Sequence, residues 1–258
     1  MNKRYKLVLV ANTSNFFNVF MLNHITQLSK KYNLFVCCND PIKLKKKVPS
    51  NVSLININFK RGLSLLHDIK ALLITLFYFL KIRPNISISF TPKIGFIVAI
   101  VSFITRTPNR IHWFTGQIWA NKKGFFKLFY KQIDKLIFFL SKNVLIDSFS
   151  QREFLIKEKV VSKNKSVVIH RGSVSGVDTT RFKFSKQKRL NLRERYSISK
   201  NTFVFLYLGR INKDKGIIEL VNAFKKIEYS KDVLLIIVGS IEDKKLNYLQ
   251  KKNKKILY

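Results

Sequence analysis

Glycines and cationic side chains follow an apolar run in the segment LGRINKDKG, residues 208–216. Gly209 allows a ligand to approach the backbone closely, and Arg210 can bind a phosphate through two parallel hydrogen bonds. Lys215 adds a point charge, and a helix predicted to open near Gly216 adds the partial positive charge of its N-terminus. The segment therefore predicts a diphosphate site. In the alternative interpretation, the glycines only turn the chain and the cations are solvated.

The elements that must position this segment alternate between strand-like and helix-like patterns along the whole chain. Apolar runs separated by helical periods predict parallel strands and the α/β class. The predicted strands cover residues 5–11, 32–38, 51–59, 85–90, 109–115, 142–148, 166–172, 202–209 and 233–240. The rhythm restarts after a charged segment, which predicts two doubly wound domains, 1–180 and 181–258.

The formal net charge of +35 predicts attraction to a polyanion, which could be a phosphorylated small molecule, an anionic membrane surface or nucleic acid. The basic residues are dispersed and no zinc-finger or RNA-binding motif is present, so we expect no nucleic-acid partner. The adjacent Cys37 and Cys38 suit neither a disulfide framework nor a zinc site, which indicates buried thiols in a reducing compartment.

The apolar stretches of the chain are shorter than a bilayer-spanning helix requires, and the N-terminus lacks the pattern of a signal peptide. The segment GLSLLHDIKALLITLFYFLK, residues 62–81, is mostly apolar but is interrupted by His67, Asp68 and Lys70. Such a helix could lie at a membrane interface, or it could be a buried helix of the sheet. Both interpretations stay open from the sequence.

The longer segment LGRINKDKGIIELVNAF (208–224) resembles the donor-binding segment of glycosyltransferase family 4, whose members are retaining enzymes of the GT-B fold. The resemblance implies that Gly209, Arg210, Lys215 and Gly216 hold the diphosphate of a nucleotide-sugar donor. Upstream, IHRGSVSGVDTTRF (169–182) is similar to the segment that links the two domains in this family. There we expect Gly172 to allow a ligand to approach the backbone closely. We expect Asp178 to fix the chain where it crosses from the first domain to the second. The alternative is an ordinary loop that ends in a capping aspartate.

Two segments of the first domain resemble family members that build capsular and lipid-linked surface polysaccharides: SFTPKIGF (89–96) and RIHWFTGQIWA (110–120). The resemblance makes His112 the candidate catalytic residue that touches the transferred sugar, against the alternative of a histidine hydrogen-bonded inside the sheet. Trp113, Phe114 and Trp119 could stack on sugar faces. Further candidates for contacts with an acceptor sugar or its diphosphate are Thr91, Lys93, Thr115, Gly116 and Gln117.

The sequence departs from the family pattern in two places. ANTSNFF (11–17) replaces the usual glycine-rich turn after the first strand, so acceptor contacts are not carried over there. The pair of glutamates separated by seven residues that the family carries later in its second domain is not found after residue 216. We therefore expect the second domain to be incomplete. Whether the 258-residue chain alone is an active transferase is left open.

The resemblance implies a retaining transferase that moves a hexose-type sugar from a nucleotide-diphosphate donor to a lipid-diphosphate-linked saccharide, in capsular or O-antigen synthesis. No cofactor and no metal are expected, because cationic side chains would stabilise the leaving diphosphate. The expected location is the cytoplasmic face of the cell membrane, with an anionic membrane surface as a partner. The alternatives are a non-catalytic remnant of such an enzyme and, less favoured, a basic nucleic-acid-binding protein.

Overall fold

A computed structural model describes residues 4–60, 62, 64–227 and 232–242, and the backbone of 256–257. The chain divides into two compact units, Met1–Val177 and Asp178–Tyr258. Each unit has parallel strands with helices packed on them, so the predicted α/β class is confirmed. Within the described residues, no helix is both long and apolar enough to cross a membrane.

The first unit is built on a seven-stranded sheet with the order β3-β2-β1-β4-β5-β6-β7, and all of its pairs are parallel. The order reverses beside β1, as in doubly wound sheets, where ligands bind at the carboxyl ends of the strands. The strands are β1 Lys6–Thr13, β2 Asn33–Asn39, β3 Ser53–Asn56, β4 Ile86–Phe90, β5 Asn109–Phe114, β6 Asn143–Ile146 and β7 Ser166–Val167.

Helices cover both faces of this sheet because successive strand residues point to opposite sides. One core contains Leu7, Leu9 and Trp113 with the short helix α1 (Ser14–Phe16), a π-helical turn (Phe17–Met21) and α2 (Leu22–Lys31). On the other face, Val8 and Val10 pack against α3 and α4, and Phe114 packs with α4 and α5. These helices are α3 Leu65–Ile82, α4 Pro92–Ile104 and α5 Gly124–Leu140, and α6 Phe149–Lys157 follows β6. Short 3-10 turns lie at Pro41–Leu44 and Lys163–Lys165.

Two predicted strands are shorter than their apolar patterns indicated. The run 51–59 forms a strand only over Ser53–Asn56, and the run 166–172 only over Ser166–Val167. Both lie at edges of the sheet, where a strand has one neighbour to pair with. After β7 the backbone turns at His170 and Gly172, which have φ angles of 50° and 93°.

Within its described residues, the second unit contains a three-stranded parallel sheet with the order β10-β9-β8. Its elements are α7 Lys186–Arg195, β8 Phe203–Leu208, a 3-10 turn Lys213–Lys215, α8 Ile217–Ile227, β9 Val233–Val238 and β10 Ile256–Leu257. Helix α8 buries Ile217, Val221 and Phe224 against β9. An apolar cavity of about 700 Å³ lies between α7 and the other face of β8 and β9.

Both cysteines are free and buried, as predicted. They lie side by side in β2 and point to opposite faces of the sheet, Cys37 towards α3 and α4 and Cys38 towards α2. Burial, followed by the neighbouring Asp40, raises the pKa of Cys38 to about 12. Both thiols therefore stay protonated and act as small apolar side chains.

A buried carboxyl group lies inside α5 of the first unit. Asp134 is 2% exposed and accepts a hydrogen bond of 2.7 Å from Nε1 of Trp119, whose indole stacks on Phe154. Burial raises the pKa of Asp134 from an ordinary value of 3.8 to about 7, and the hydrogen bond from Trp119 opposes that rise. Because burial penalises the charged form, the folded protein holds this proton more tightly than the unfolded chain does.

This shift predicts how stability depends on pH. The contribution of Asp134 to the free energy of unfolding is complete below its unfolded pKa near 3.8. This contribution is lost as pH rises through the folded pKa of about 7. In that window the loss approaches about 1.4 kcal/mol per pH unit. Asp134→Asn keeps an acceptor oxygen for Trp119, so urea titrations across this range should show a flatter pH profile. Glu153→Gln, which removes an exposed carboxylate, should leave the wild-type slope, and an unchanged slope in Asp134→Asn would contradict the assignment.

Candidate functional site

The loops that follow β8 and β9 run side by side at the carboxyl edge of the second unit's sheet. The amide of Gly209 donates to the carbonyl of Val238 at 3.0 Å, and the amide of Ile211 donates to the carbonyl of Ser240 at 2.9 Å. The pairing ends where the amide of Glu242 donates to the carbonyl of Ile211 at 3.2 Å. The backbone therefore positions the side chains of both loops at one edge.

Arg210 meets a carboxylate at this edge. Its Nη1 donates to both oxygens of Glu242, at 2.9 and 3.1 Å, and Nδ2 of Asn212 donates to Oε2 of Glu242 at 3.0 Å. The Tyr207 hydroxyl donates to the backbone carbonyl of Arg210 at 2.8 Å, which supports the loop. The Arg210 side chain is 58% exposed, so the guanidinium stays accessible to solvent while it forms an ion pair with Glu242.

Sequence reasoning missed Glu242 and Asn212 as neighbours of Arg210. The available signal was positional, because Glu242 follows an apolar strand at the same distance as Asn212 follows the preceding one. Parallel strands place both loops at the same edge, so polar residues after each of them are neighbours.

Lys215 ends the 3-10 turn, and α8 begins at Ile217, close to the predicted helix opening. The amide of Lys215 donates to Oδ1 of Asn212 at 3.1 Å, which orders the turn. Gly216 has a φ of 69°, in the left-handed region that favours glycine, so its conformation explains the residue type. Glu219 lies in the first turn of α8, where its negative charge complements the helix N-terminus. The diphosphate roles of Lys215 and Gly216 stay predictions.

Two glycines at this edge are required for different reasons. A Cβ added to Gly239 would lie 1.7 Å from the carbonyl oxygen of Gly209, so packing of the two loops demands glycine at position 239. A Cβ added to Gly209 would meet its nearest heavy atom, Oη of Tyr207, at 3.4 Å, which is ordinary van der Waals contact. Packing within the described residues therefore does not demand glycine at 209, as expected if this backbone faces a ligand.

His112 lies in β5 and is 1% exposed, so its ring is part of the first unit's interior. Its Nδ1 pairs with Oγ of Ser89 at 2.8 Å, and its ring packs edge-on against Phe114 and directly against Gly95 of α4. Burial lowers the pKa of His112 to about 3, so the ring is neutral. These contacts match the alternative of a histidine hydrogen-bonded inside the sheet, and they give no support to its predicted contact with a sugar.

The three aromatic rings predicted to stack on sugars are also interior. Trp113 and Phe114 belong to the cores on opposite faces of the sheet, and Trp119 packs in the second of these cores. The Trp113 indole donates to Oδ1 of Asp147 at 3.1 Å, and the Trp119 indole donates to Asp134. The stacking prediction is wrong for these rings because burial in the cores leaves their faces covered.

Polar atoms without partners lie at or just after the ends of three adjacent strands of the first unit. Oδ1 of Asn12, Oγ1 of Thr91 and Nε2 of Gln117 are buried and find no hydrogen-bond partner among the described residues. Asn12 is in the last residues of β1, Thr91 follows β4, and Gln117 follows β5. Thr91 also has a φ of 67°, a strained conformation for a β-branched residue. Sequence reasoning missed Asn12, although a polar residue at the end of a buried strand was a usable signal.

The other candidates near this edge differ in how many contacts they make within the protein. Thr115 is half-buried and Gly116 is exposed, with no heavy atom within 4 Å of an added Cβ. Lys93, by contrast, forms an ion pair of 2.5 Å with Asp68 and donates to the carbonyls of Lys60 and Gly62. Because these contacts tie the loop before α3 to α4, a structural role accounts for Lys93 without a ligand.

Local structure also accounts for Gly172 and Asp178. A Cβ on Gly172 would lie 2.2 Å from the carbonyl oxygen of Asp147, so glycine is needed for the chain to pack on the end of β6. Asp178 accepts hydrogen bonds from the amide and hydroxyl of Thr180 and from the amide of Arg181, at 2.6 to 3.0 Å. The Thr180 hydroxyl is the main cause of the lowered pKa of Asp178. The alternative of a capping aspartate is therefore the better account of Asp178.

Comparison with known proteins places these features in context. Residues 188–257 match the family model described as Glycosyl transferases group 1. The chain is 35% identical over 188 residues to the capsular polysaccharide biosynthesis glycosyltransferase CapM of Staphylococcus aureus, in a match that covers 72% of this chain and 49% of CapM. The predicted resemblance to capsular glycosyltransferases is confirmed. The chain thus spans about half the length of this curated relative.

Two further comparisons agree with that result. A match to the lipopolysaccharide 1,2-N-acetylglucosaminetransferase of Salmonella typhimurium is 37% identical over 57 residues, which are 22% of this chain and 15% of that protein. Among solved structures, Anabaena HepE in complex with UDP and glucose superposes with a TM-score of 0.72 at 15% identity, over 98% of this chain and 68% of HepE. At that identity the likeness concerns the fold alone, and it confirms the GT-B fold.

The cationic side chains after β8 generate the first binding prediction. If Arg210 and Lys215 hold a diphosphate, replacing either by Ala removes a charge-assisted hydrogen bond and should weaken nucleotide-diphosphate binding by roughly 10- to 150-fold. Isothermal titration calorimetry with nucleoside diphosphates measures this loss. Lys225→Ala and Lys226→Ala, further along α8, are matched controls. Equal, small losses at all four positions would refute the site.

The two glycines generate a second prediction that separates packing from ligand binding. Gly239→Ala forces the paired loops apart and should destabilise the protein by about 1 to 3 kcal/mol in denaturant titrations. Gly209→Ala would place its methyl group in ordinary contact with the Tyr207 ring, so it should leave stability nearly unchanged. It should weaken nucleotide binding if a phosphate approaches this backbone closely. A Gly209→Ala variant that binds nucleotide like the wild type would contradict the assigned role of Gly209.

Proposed function

We propose that this protein transfers a sugar from a nucleotide-diphosphate donor to a lipid-diphosphate-linked saccharide in the synthesis of a capsular or O-antigen polysaccharide. The observation that carries the proposal is the exposed guanidinium of Arg210 at the carboxyl edge of β8, within the segment that matches the glycosyl transferases group 1 model. The name of CapM supports the polysaccharide class, and the UDP and glucose bound to HepE support a nucleotide-sugar donor.

The chemistry proposed for the second unit is stabilisation of the leaving diphosphate. An acceptor hydroxyl oxygen bonds to the anomeric carbon on the face from which the diphosphate leaves, so the anomeric configuration is retained. The bond from the anomeric carbon to the diphosphate breaks, and the hydroxyl proton passes to a diphosphate oxygen. Arg210, Lys215 and the N-terminus of α8 supply the positive charge that this leaving group requires. We propose no metal and no cofactor, because these groups provide that charge.

The proposed acceptor contacts lie at the edge of the first unit's sheet. Asn12, Thr91 and Gln117 are half-buried residues, unlike the fully buried rings. Their unpartnered atoms are an oxygen acceptor, a hydroxyl that can donate and accept, and an amide donor, respectively. This combination of unpartnered donors and acceptors suits the hydroxyl groups of a saccharide, and Thr115 and Gly116 follow the same strand as Gln117. The cationic charge of +35 supports a peripheral position at the inner face of the cell membrane, where anionic lipids concentrate.

Binding of nucleotides of different phosphate number tests the donor proposal directly. Calorimetry with UDP, UMP and uridine, and with the guanine series, should show diphosphates binding at least about 10-fold more tightly than monophosphates. Arg210→Ala should abolish that preference. Indifference to phosphate number would contradict the donor proposal.

Transfer is then tested with pooled nucleotide sugars and lipid-diphosphate-linked saccharides. We expect release of nucleoside diphosphate that depends on the acceptor, is insensitive to EDTA, and yields a product whose anomeric configuration by NMR is that of the donor. An inverted product or a requirement for added divalent cation would refute the mechanism.

A further inference from the structure

Helix α3 is apolar on the face where it meets solvent. Ala71, Thr75, Phe79 and Ile82 pack on the sheet, which accounts for the inner face of the helix. The outer face, at spacings of three and four residues, is also apolar, although its side chains are 48–81% exposed. The members of this stripe are Leu66, Ile69, Leu73, Phe77 and Leu80. The sequence left open whether this segment was an interfacial or a buried helix. In the structure, one face of α3 is buried against the sheet and the opposite face exposes apolar side chains.

Helix α5 repeats the arrangement. Asp134, Ile137 and Leu140 lie on its buried face. The outer face carries a second stripe of exposed apolar side chains, in which the rings of Phe125 and Phe129 stack with centroids 6.2 Å apart. Its members are Phe125, Phe129, Leu136 and Phe139.

Both stripes belong to the same layer of the first unit. Helix α4 contacts α3 on one side and α5 on the other, and all three cover the face of the sheet that contains Val8, Val10 and Phe114. The end of α4 adds two more exposed apolar side chains, Phe103 and Ile104. We call the exposed apolar side chains of α3, α5 and the end of α4 the α3–α5 surface. Many large apolar side chains exposed on one layer are typical of an interaction site.

The charges around the α3–α5 surface are predominantly positive. Within α3 and α5, the two carboxylates are both engaged: Asp68 pairs with Lys93, and Asp134 is buried against Trp119. Cationic side chains flank the apolar stripes on both helices and in the segment before α5. They are Lys70, Lys81, Lys122, Lys123, Lys127 and Lys135.

We propose that the α3–α5 surface inserts into the headgroup region of an anionic lipid membrane. A helix that exposes an apolar stripe flanked by lysines buries that stripe at the boundary of headgroups and acyl chains, while its lysines meet anionic lipid. A second copy of the chain is a poorer occupant, because symmetric docking would bring two cationic rims together.

This inference deepens the membrane part of the proposed function and rests on it for the location of the protein. It differs from attraction by dispersed surface lysines alone in one measurable respect. Electrostatic attraction is screened by salt, whereas burial of apolar side chains is not. Insertion therefore predicts a salt-resistant component of binding that depends on the outer faces of α3 and α5.

The test is sedimentation of the full chain with vesicles of phosphatidylcholine mixed with phosphatidylglycerol, without nucleotide or acceptor. The wild type should bind at low salt and keep part of its binding at about 1 M salt, where charges are screened over about 3 Å. Leu73→Gln with Phe77→Gln, and separately Phe125→Gln with Phe129→Gln, should each weaken the salt-resistant binding by about 10- to 100-fold. Because these side chains are exposed, each variant should melt like the wild type.

The matched control is Val19→Gln with Ile42→Gln, which changes two exposed apolar residues on elements that do not belong to the α3–α5 surface. It should bind vesicles like the wild type, and so should Arg210→Ala, which separates membrane binding from the donor site. Phe77→Trp should show a blue-shifted emission on vesicles and quenching by brominated lipid. Binding that vanishes in high salt, or an α3 variant that alters oligomeric state but not vesicle binding, would overturn the proposal.

Discussion

The close approach of the Gly239 backbone to the carbonyl of Gly209 is the constraint on which the second unit's site depends. The two loops after β8 and β9 can pair only because position 239 carries no Cβ. That pairing places Arg210 opposite Glu242 and leaves Gly209 half-buried beside the Tyr207 ring. In the proposed diphosphate site, the loop after β8 supplies the cations and the loop after β9 lies beside it. Here the parallel sheet brings two loops to one edge, and the glycine lets them close.

The first unit buries several polar side chains and exposes several large apolar ones, the reverse of the usual arrangement. His112, Trp113, Trp119 and Asp134 are buried, yet each finds a hydrogen-bond partner inside the protein. Such pairing offsets most of the cost of desolvating these groups. Large apolar side chains of α3 and α5, in contrast, stay exposed although their burial would be favourable. In this unit, ligand contacts are thus better sought at the unpartnered polar groups and the exposed apolar side chains than at His112 or the buried tryptophans.

The lysines of the first unit also fall into two groups, those in ion pairs and those beside exposed apolar side chains. Lys93 and Lys131 form ion pairs of 2.5 and 2.6 Å, so they stabilise the first unit locally. The lysines along the outer faces of α3 and α5 lie instead beside exposed apolar side chains. A net charge of +35 by itself therefore does not show which surface of the protein meets a partner. Its physical meaning comes from which cations lie next to apolar surface and which lie next to a carboxylate.

The sequence alone determined the α/β class, the alternation of strands and helices, and the segment after β8 that resembles the donor-binding segment of glycosyltransferases. These features are local, because strand and helix periods and a Gly-Arg pair after an apolar run are visible over a few residues. Only the tertiary structure decided which side chains face inward. His112 and Trp119 are read as ligand-binding types in a sequence, but packing against Gly95 and Phe154 makes them core residues. The exposure of the outer face of α3 likewise depends on neighbours distant in sequence. So does the pairing of Arg210 with Glu242, for which the sequence offers only the positions of the two residues after their apolar strands.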